Sequence, residues 1–202
     1  MPRAPLSEQE IEAFRTRAVA AATHLFAEHG YEAVTMRTLA KSLGVSAMTP
    51  YRYFDNKSAL FAQVRTEAFR RFADAQRDAV ANDQAPMVSL LGLERAYIQF
   101  ALDEPDAYRI MFELRQAPAG TYPELDAESA RAFSYLHGAV KLAVAQKVLP
   151  GDPLTVAHTL WAHTHGIVSL HLAGKLGMGR DLEELCLSRL LQLGGALPHE
   201  ES

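Results

Sequence analysis

Helix start and stop signals divide this sequence, and they constrain its fold more than any other feature. Ser7 and Glu10 have the spacing of a capping box, in which each side chain accepts a hydrogen bond from the other's backbone N–H. Apolar residues then recur at helical spacing as far as Gly30, a residue type that commonly ends helices. No stretch alternates polar and apolar residues as a half-buried strand would. The chain is therefore predicted to be all-α.

Two short helices are predicted after the first. Thr35 is the expected N-cap of the second helix, and Gly44 ends it after about two turns. Ser46 is expected to cap a third short helix over 47–53, and Asn56 to cap a fourth that runs into the 80s. Two short helices joined by a glycine-containing turn form a helix-turn-helix unit, in which the first helix provides a third wall.

Five further helices are predicted, each set off by proline, glycine or aspartate: 87–102, 105–112, 124–148, 153–173 and 181–193. With 202 residues, 49% of them hydrophobic, the chain can bury a core without a metal or a disulfide. Cys186 is its only cysteine, which excludes an intrachain disulfide and suits a reducing compartment.

Basic residues are concentrated where the short helices are predicted. Residues 35–65 hold five basic residues and one acidic residue, a net charge of +4, whereas the whole chain carries −4. The five are Arg37, Lys41, Arg52, Lys57 and Arg65. A basic run alone is more often a solvated helix face, but a basic stretch on an acidic body is also typical of a local anion site.

The residues near the start of the third predicted helix suit contact with DNA bases. In a helix-turn-helix unit these positions lie in the major groove. Here they are Ala47, Met48 and Thr49, followed by Arg52. Thr49 can hydrogen-bond a base or place its methyl group on thymine, and Arg52 can reach a guanine edge or a phosphate.

Residues 35–46 (TMRTLAKSLGVS) and 51–60 (YRYFDNKSAL) resemble the DNA-binding motif of the tetracycline-repressor (TetR) family of transcriptional regulators. Residues 161–170 (WAHTHGIVSL) are similar to the W-H-G signature of one group of ligand-binding domains in that family. The resemblance implies an N-terminal three-helix DNA-binding domain over 1–58. It also implies a C-terminal helical bundle over 59–202 for effector binding and dimerisation.

The same resemblance implies roles for individual residues. Tyr51 and Lys57 would bind phosphate, Thr35 and Thr38 would anchor the second helix on the DNA backbone, and residues 47–49 and 52 would read bases. The predicted DNA-binding residues are Thr35, Arg37, Thr38, Ala47, Met48, Thr49, Tyr51, Arg52, Tyr53 and Lys57. Pro50 stands where leucine is frequent, and because it lacks an N–H it is expected to loosen the start of the third helix.

Aromatic and apolar residues crowd the middle of the chain, and at helical spacing they are core residues first. The family resemblance implies a pocket among them for a small, mostly apolar effector. The candidate lining residues are Tyr97, Met111, Phe112, Phe133, His137, Trp161 and His165.

The histidines between 158 and 171 lack the spacing of a helical zinc pair, so no metal and no cofactor are predicted. His165 and His158 leave open an alternative, a helical ligand- or haem-binding module without a DNA role. No constellation of residues suggests catalysis, and the chain is not predicted to be an enzyme.

The last two predicted helices are apolar around nearly their whole circumference, which indicates burial on two sides. One side would face the chain's own bundle and the other a second copy, in a two-fold interface; an enclosed monomer core is the alternative. The candidate interface residues are Leu160, Ile167, Leu182, Leu185, Leu190 and Leu193.

These inferences combine into one functional hypothesis. The chain is predicted to be a homodimeric DNA-binding regulator, a repressor released from a palindromic double-stranded operator by a small-molecule effector. A cytoplasmic location with no membrane partner is expected, because no apolar run reaches the roughly 18 residues of a membrane span and the first ten residues turn acidic rather than apolar.

Overall fold

The computed structural model describes residues 7–80, 85–112, 118, 120–176 and 181–193. These residues form eight α-helices and one 3₁₀-helix and contain no strand, which confirms the predicted all-α class. The helices are α1 (Glu8–Ala33), α2 (Met36–Ser42), the 3₁₀-helix (Pro50–Arg52), α3 (Lys57–Ala79), α4 (Pro86–Asp103), α5 (Pro105–Phe112), α6 (Pro123–Ala145), α7 (Pro153–Leu172) and α8 (Leu182–Leu193).

The predicted N-caps of α1 and α3 are confirmed by their hydrogen bonds. At α1 the Ser7 amide donates to Glu10 Oε2 at 2.8 Å, and the Glu10 amide donates to Ser7 Oγ at 3.2 Å. Asn56 Oδ1 accepts from the amide N–H of the third residue of α3 at 2.9 Å. Gly30 has a φ of 76° and breaks α1 three residues before its end, because only glycine adopts this backbone without strain.

The prediction of a third helix over 47–53 is wrong in its length. Only Pro50–Arg52 is helical there, as a single 3₁₀ turn preceded by a turn at 47–48. The bonds that hold it span three residues: the Thr49 amide donates to the Ser46 carbonyl at 2.9 Å, and the Arg52 amide donates to the Thr49 carbonyl at 3.1 Å. Pro50 has no N–H to donate, so the bond to the Ser46 carbonyl that would begin an α-helix here cannot form. The Phe54 amide donates to the Pro50 carbonyl at 3.0 Å, at α-helical spacing.

The described residues form two compact units. Unit 1 contains the chain up to Phe69 together with Asp106–Ala127, and unit 2 contains Arg70–Pro105 and the residues from Glu128 onwards. The predicted domain boundary between residues 58 and 59 stays a prediction. No helix in the described part of the chain is both long and apolar enough to cross a bilayer.

Each unit has its own hydrophobic core. In unit 1, α1 packs against α2 and α2 against the 3₁₀-helix, around a cluster that includes Phe14, Ala18, Phe26, Val34, Leu39, Leu60 and Val64. In unit 2, α4, α7 and α8 pack against one another, around a cluster that includes Leu90, Leu93, Val140, Ala143, Leu160 and Leu190.

Candidate nucleic-acid interface

An exposed surface on unit 1 combines three cations with two large side chains. We call Arg37, Lys41, Met48, Tyr51 and Arg52 the recognition surface. Met48 is 69% exposed and Tyr51 is 49% exposed, which is unusual for side chains of this size. The three basic side chains are also exposed, and none of them forms a hydrogen bond or an ion pair within the described residues. Their charge is therefore available to an anionic partner.

The two threonines at the start of α2 hold the helix in place. The Thr38 amide donates to Thr35 Oγ1 at 3.1 Å, and the Thr35 amide donates to Thr38 Oγ1 at 2.9 Å. Both residues are exposed. The capping box fixes the orientation of α2, and with it the position of Arg37 in the first turn of the helix.

The segment before the 3₁₀-helix is fixed by a short polar contact. The hydroxyls of Ser46 and Thr49 lie 2.9 Å apart. The sequence had predicted that Ser46 is an N-cap, whose side chain accepts a hydrogen bond from a backbone N–H. Ala47 is exposed, and Thr49 is half-buried. Tyr53 differs from its neighbours, because its ring stacks on Phe14 with the centroids 4.1 Å apart and packs against the unit 1 core.

Lys57 is engaged inside the protein. Its Nζ donates to the carbonyls of Tyr31 at 2.9 Å and Glu32 at 3.4 Å, and it lies 4.3 Å from the centre of the Tyr31 ring. The Tyr31 hydroxyl is 2.7 Å from the hydroxyl of Ser58. Lys57 therefore ties the start of α3 to the end of α1, a contact that the sequence motif did not reveal. Its role in phosphate binding stays a prediction.

The predicted effector-pocket residues lie in both units. Phe133, His137 and Trp161 are together in unit 2, where the Phe133 ring centre is 6.1 Å from that of His137 and 5.8 Å from that of Trp161. Elsewhere in unit 2, the Tyr97 hydroxyl lies 3.2 Å from His165 Nδ1. The other two predicted residues, Met111 and Phe112, belong to unit 1.

Two charged groups are buried, which the sequence did not predict. Arg65 was grouped with the basic stretch, but it is only 6% exposed, so it adds nothing to the recognition surface. Glu94 on α4 is 8% exposed, and burial raises its pKa to about 7, although the hydrogen bond from Thr164 opposes this. An acidic residue inside the apolar run 86–102 was the available signal for Glu94.

The predicted interface residues on α7 and α8 differ in how far they are buried within a single chain. Leu160, Leu182 and Leu190 are 3%, 9% and 1% exposed in a single chain, so their own unit already covers them and a second copy cannot. Ile167 and Leu185 are half-buried, and the side chain of Leu193 lies outside the described residues. The large apolar side chains that stay exposed on α7 are Leu154 and Leu170.

The two histidines that suggested a metal or haem module have partners inside unit 2. His165 lies between Tyr97 and Ser169, whose hydroxyl is 3.5 Å from His165 Nε2. His158 Nδ1 is 2.9 Å from the carbonyl oxygen of Leu154. Within the described ranges no group of three or more His, Cys, Asp and Glu side chains is arranged to hold a metal ion.

Known proteins share both parts of this chain. The family described as "Bacterial regulatory proteins, tetR family" matches residues 11–64. The family described as "Tetracyclin repressor-like, C-terminal domain" matches residues 90–193, which is more than half of the chain. The HTH-type transcriptional repressor Rv1474c of Mycobacterium tuberculosis is 32% identical over 90 residues, 44% of this chain and 47% of that protein. The chain spans about half the length, or less, of the curated relatives it matches.

Solved structures share the fold over nearly the whole chain. A protein with unknown function from Rhodococcus sp. RHA1 has a TM-score of 0.78 and 24% identity, and the match covers 98% of each chain. A TetR family transcription regulator from Marinobacter aquaeolei VT8 has a TM-score of 0.76 and 19% identity, with 93% of this chain and 98% of that chain covered. The family matches to both parts of the chain confirm the resemblance found in the motifs at 35–46 and 51–60, and this chain belongs to the TetR family of bacterial regulatory proteins.

Proposed function

We propose that the protein is a DNA-binding transcriptional repressor that acts as a homodimer in the cytoplasm and is released from its operator by a small molecule. The single observation that carries this proposal is the recognition surface. Three exposed cations without partners among the described residues lie on α2 and on the 3₁₀-helix that packs against it, and an exposed methionine and an exposed tyrosine lie in the same segment. Phosphate neutralisation by such cations supplies most of the affinity of a DNA-binding protein.

The side chains of this surface divide into two roles. Arg37, Lys41 and the Tyr51 hydroxyl are proposed to contact phosphates, since charged and hydroxyl groups at the edge of a docked unit position it on the duplex. Met48, Thr49 and Arg52 are proposed to face the bases, where an apolar side chain meets a thymine methyl group and arginine meets guanine. We expect the short 3₁₀ turn to bring fewer residues to the groove than the α-helix that the sequence predicted.

The dimer is proposed to form through α7 and α8. Leu154 and Leu170 are exposed on α7, while Ile167 and Leu185 are half-buried, so these four can gain burial against a second copy. A two-fold dimer presents two recognition surfaces to one face of DNA, which requires half-sites about 34–36 Å apart or a multiple of that distance.

The proposal is tested by fluorescence anisotropy with DNA from the region upstream of the protein's own gene, at salt concentrations from 50 to 200 mM. Lys41→Ala is expected to weaken binding and to reduce the salt slope by about one counterion, because one phosphate contact is lost. The matched control is Lys141→Ala, which removes an exposed charge from α6 in unit 2 and should leave the slope unchanged.

Two results would contradict the proposal. One is equal weakening by the two substitutions, which would mean that only net charge matters. The other is an absence of binding to every fragment at low salt, including fragments selected from a random pool. Sedimentation as a single copy at the concentrations used would contradict the dimer separately.

A further inference from the structure

Arg65 is a buried cation with an unused hydrogen-bond donor. Its side chain lies in unit 1 and is 6% exposed. Nη2 donates to the carbonyl of Met111 at 3.2 Å, and the guanidinium carbon lies 5.8 Å from the centre of the Phe69 ring. Nε is buried and has no hydrogen-bond partner among the described residues.

A charge in this position normally has a counter-ion. Charged side chains are almost never fully buried unless they are paired, because an unpaired charge loses its hydration without compensation. Arginine cannot avoid this by losing its proton near neutral pH. Burial lowers the pKa of Arg65, while the attraction of Asp126 raises it.

Asp126 does not complete the pair. It is exposed, and its Oδ2 accepts a hydrogen bond from the Gly120 amide at 2.7 Å. No acidic side chain in the described part of unit 1 lies within ion-pair distance of Arg65. By contrast, Arg71 on the same helix is paired with Glu104. Its Nε and Nη2 donate to Glu104 Oε2 at 2.9 and 2.6 Å.

The surroundings of Arg65 are aromatic and apolar. The rings of Phe69 and Phe112 meet edge-on with centroids 5.8 Å apart, and Phe112 meets Tyr108 in the same way at 5.1 Å. Met111 is 1% exposed and Tyr108 is fully buried. A guanidinium whose Nε has no partner among the described residues, beside a ring cluster that begins at Phe69, fits a ligand with an anionic head and an apolar body.

We propose that Arg65 is the anion-binding residue of the effector site, and that the effector is an organic acid with one carboxylate and an apolar or aromatic body. A carboxylate can accept side-on from Nε and the second hydrogen of Nη2, as Glu104 does from Arg71. One carboxylate neutralises one guanidinium, whereas a doubly charged phosphate would leave a buried negative charge.

The position of Arg65 connects such a ligand to the recognition surface. Arg65 and Lys57 lie on α3, eight residues and so about 12 Å apart. Lys57 ties α3 to the end of α1, which precedes α2 and Arg37. A ligand that binds Arg65 therefore contacts α3, the helix that supports the DNA-binding elements. This inference rests on the proposed function only for its regulatory consequence.

Isothermal titration calorimetry without DNA tests the site. The probes are benzoate, phenylacetate and octanoate, each compared with its neutral amide. At least one carboxylate is expected to bind with a Kd below about 1 mM, and its amide about tenfold more weakly. Arg65→Met and, to a smaller degree, Arg65→Lys should weaken carboxylate binding, whereas the control Arg71→Met should not.

Thermal unfolding in the absence of any probe gives a second readout. If Arg65 is kept for a ligand, removing its uncompensated charge should raise the Tm of Arg65→Met by at least about 2 °C. Arg71→Met should lower the Tm, because it breaks the pair with Glu104.

Three outcomes would overturn the proposal: no carboxylate binds, the amides bind as well as the acids, or Arg65→Met binds carboxylates like the wild type. A lower Tm for Arg65→Met would assign Arg65 a structural role and would also overturn it. DNA binding is measured separately. Carboxylate binding without DNA binding would refute the proposed repressor function but not the carboxylate site. DNA binding without carboxylate binding would refute the site but not the repressor function.

Discussion

The buried carboxyl group of Glu94 makes a strong prediction about stability and pH. Glu94 is 8% exposed, and burial raises its pKa from the ordinary 4.5 to about 7. Between these two values the folded protein holds a proton that the unfolded chain has already lost. The free energy of unfolding should therefore fall as pH rises through this window, by about 1.4 kcal/mol per pH unit and about 3 kcal/mol in total.

The hydrogen bond from Thr164 opposes the effect of burial, because it favours the ionised form of Glu94. The Thr164 hydroxyl lies 2.5 Å from Glu94 Oε1 and 3.1 Å from the carbonyl oxygen of Leu160, but it has one proton to donate. A protonated Glu94 can donate to Thr164, which then donates to Leu160. An ionised Glu94 takes the Thr164 proton and leaves the Leu160 contact without one.

Glu94→Gln should remove this pH dependence. The glutamine side chain has nearly the same shape, can donate to Thr164, and carries no titrating proton. We expect the variant to match the wild type near pH 5 and to exceed its stability at pH 8 by up to about 3 kcal/mol. The control is Glu183→Gln, which alters an exposed acid paired with Arg95 and should leave the pH slope unchanged.

Urea unfolding followed by the fluorescence of Trp161, the only tryptophan, measures the effect within unit 2. Histidine titration contributes equally to both proteins, so the difference between the wild type and Glu94→Gln isolates one group. Parallel stability curves for the two proteins from pH 5 to pH 8 would refute the reasoning, because they would show that Glu94 is ionised throughout.

Two further predictions concern packing and reactivity. A Cβ added at Gly92 would lie 2.9 Å from the Ala79 carbonyl oxygen, so Gly92→Ala should destabilise the protein by about 1–3 kcal/mol in thermal unfolding. A Cβ added at Gly138 would have nothing within 4 Å, so the matched Gly138→Ala should stabilise the protein by about 0.5–1 kcal/mol. Equal effects of the two substitutions would refute the close approach at Gly92. Cys186 is 1% exposed, and burial raises its pKa to about 12, so iodoacetamide at pH 8 should modify it only in urea, and rapid labelling of the native protein would contradict this.

Local signals in the sequence predicted the helices well because the interactions behind them span only three or four residues. The capping boxes at Ser7 and Thr35 need no long-range contact to form. The third helix shows where this reasoning was incomplete. The sequence indicated that Pro50 would weaken the helix start, and in the structure only one 3₁₀ turn forms there, at Pro50–Arg52.

The sequence did not show whether each apolar residue of α7 and α8 is buried by its own chain or left for a second copy to cover. On α7 and α8 leucines occur all round the helix, and periodicity cannot tell a face covered by the same chain from one open to a second copy. The structure buries Leu160, Leu182 and Leu190 in unit 2 and leaves Leu154 and Leu170 exposed. The predicted pocket residues were likewise chosen for their chemistry alone, and Met111 and Phe112 belong to unit 1.

The sequence by itself determined the all-α class, the helix starts, the family motifs and the basic stretch, because each depends on residue types at short, fixed spacings. Only the tertiary structure decided what happens to each charge. Arg37, Lys41 and Arg52 remain exposed, Lys57 binds main-chain carbonyls, and Arg65 is buried with no ion-pair partner in the part of the chain that the structure describes. Whether a charge meets water, a carbonyl group or an aromatic ring depends on elements distant in the chain, and no local pattern encodes those contacts.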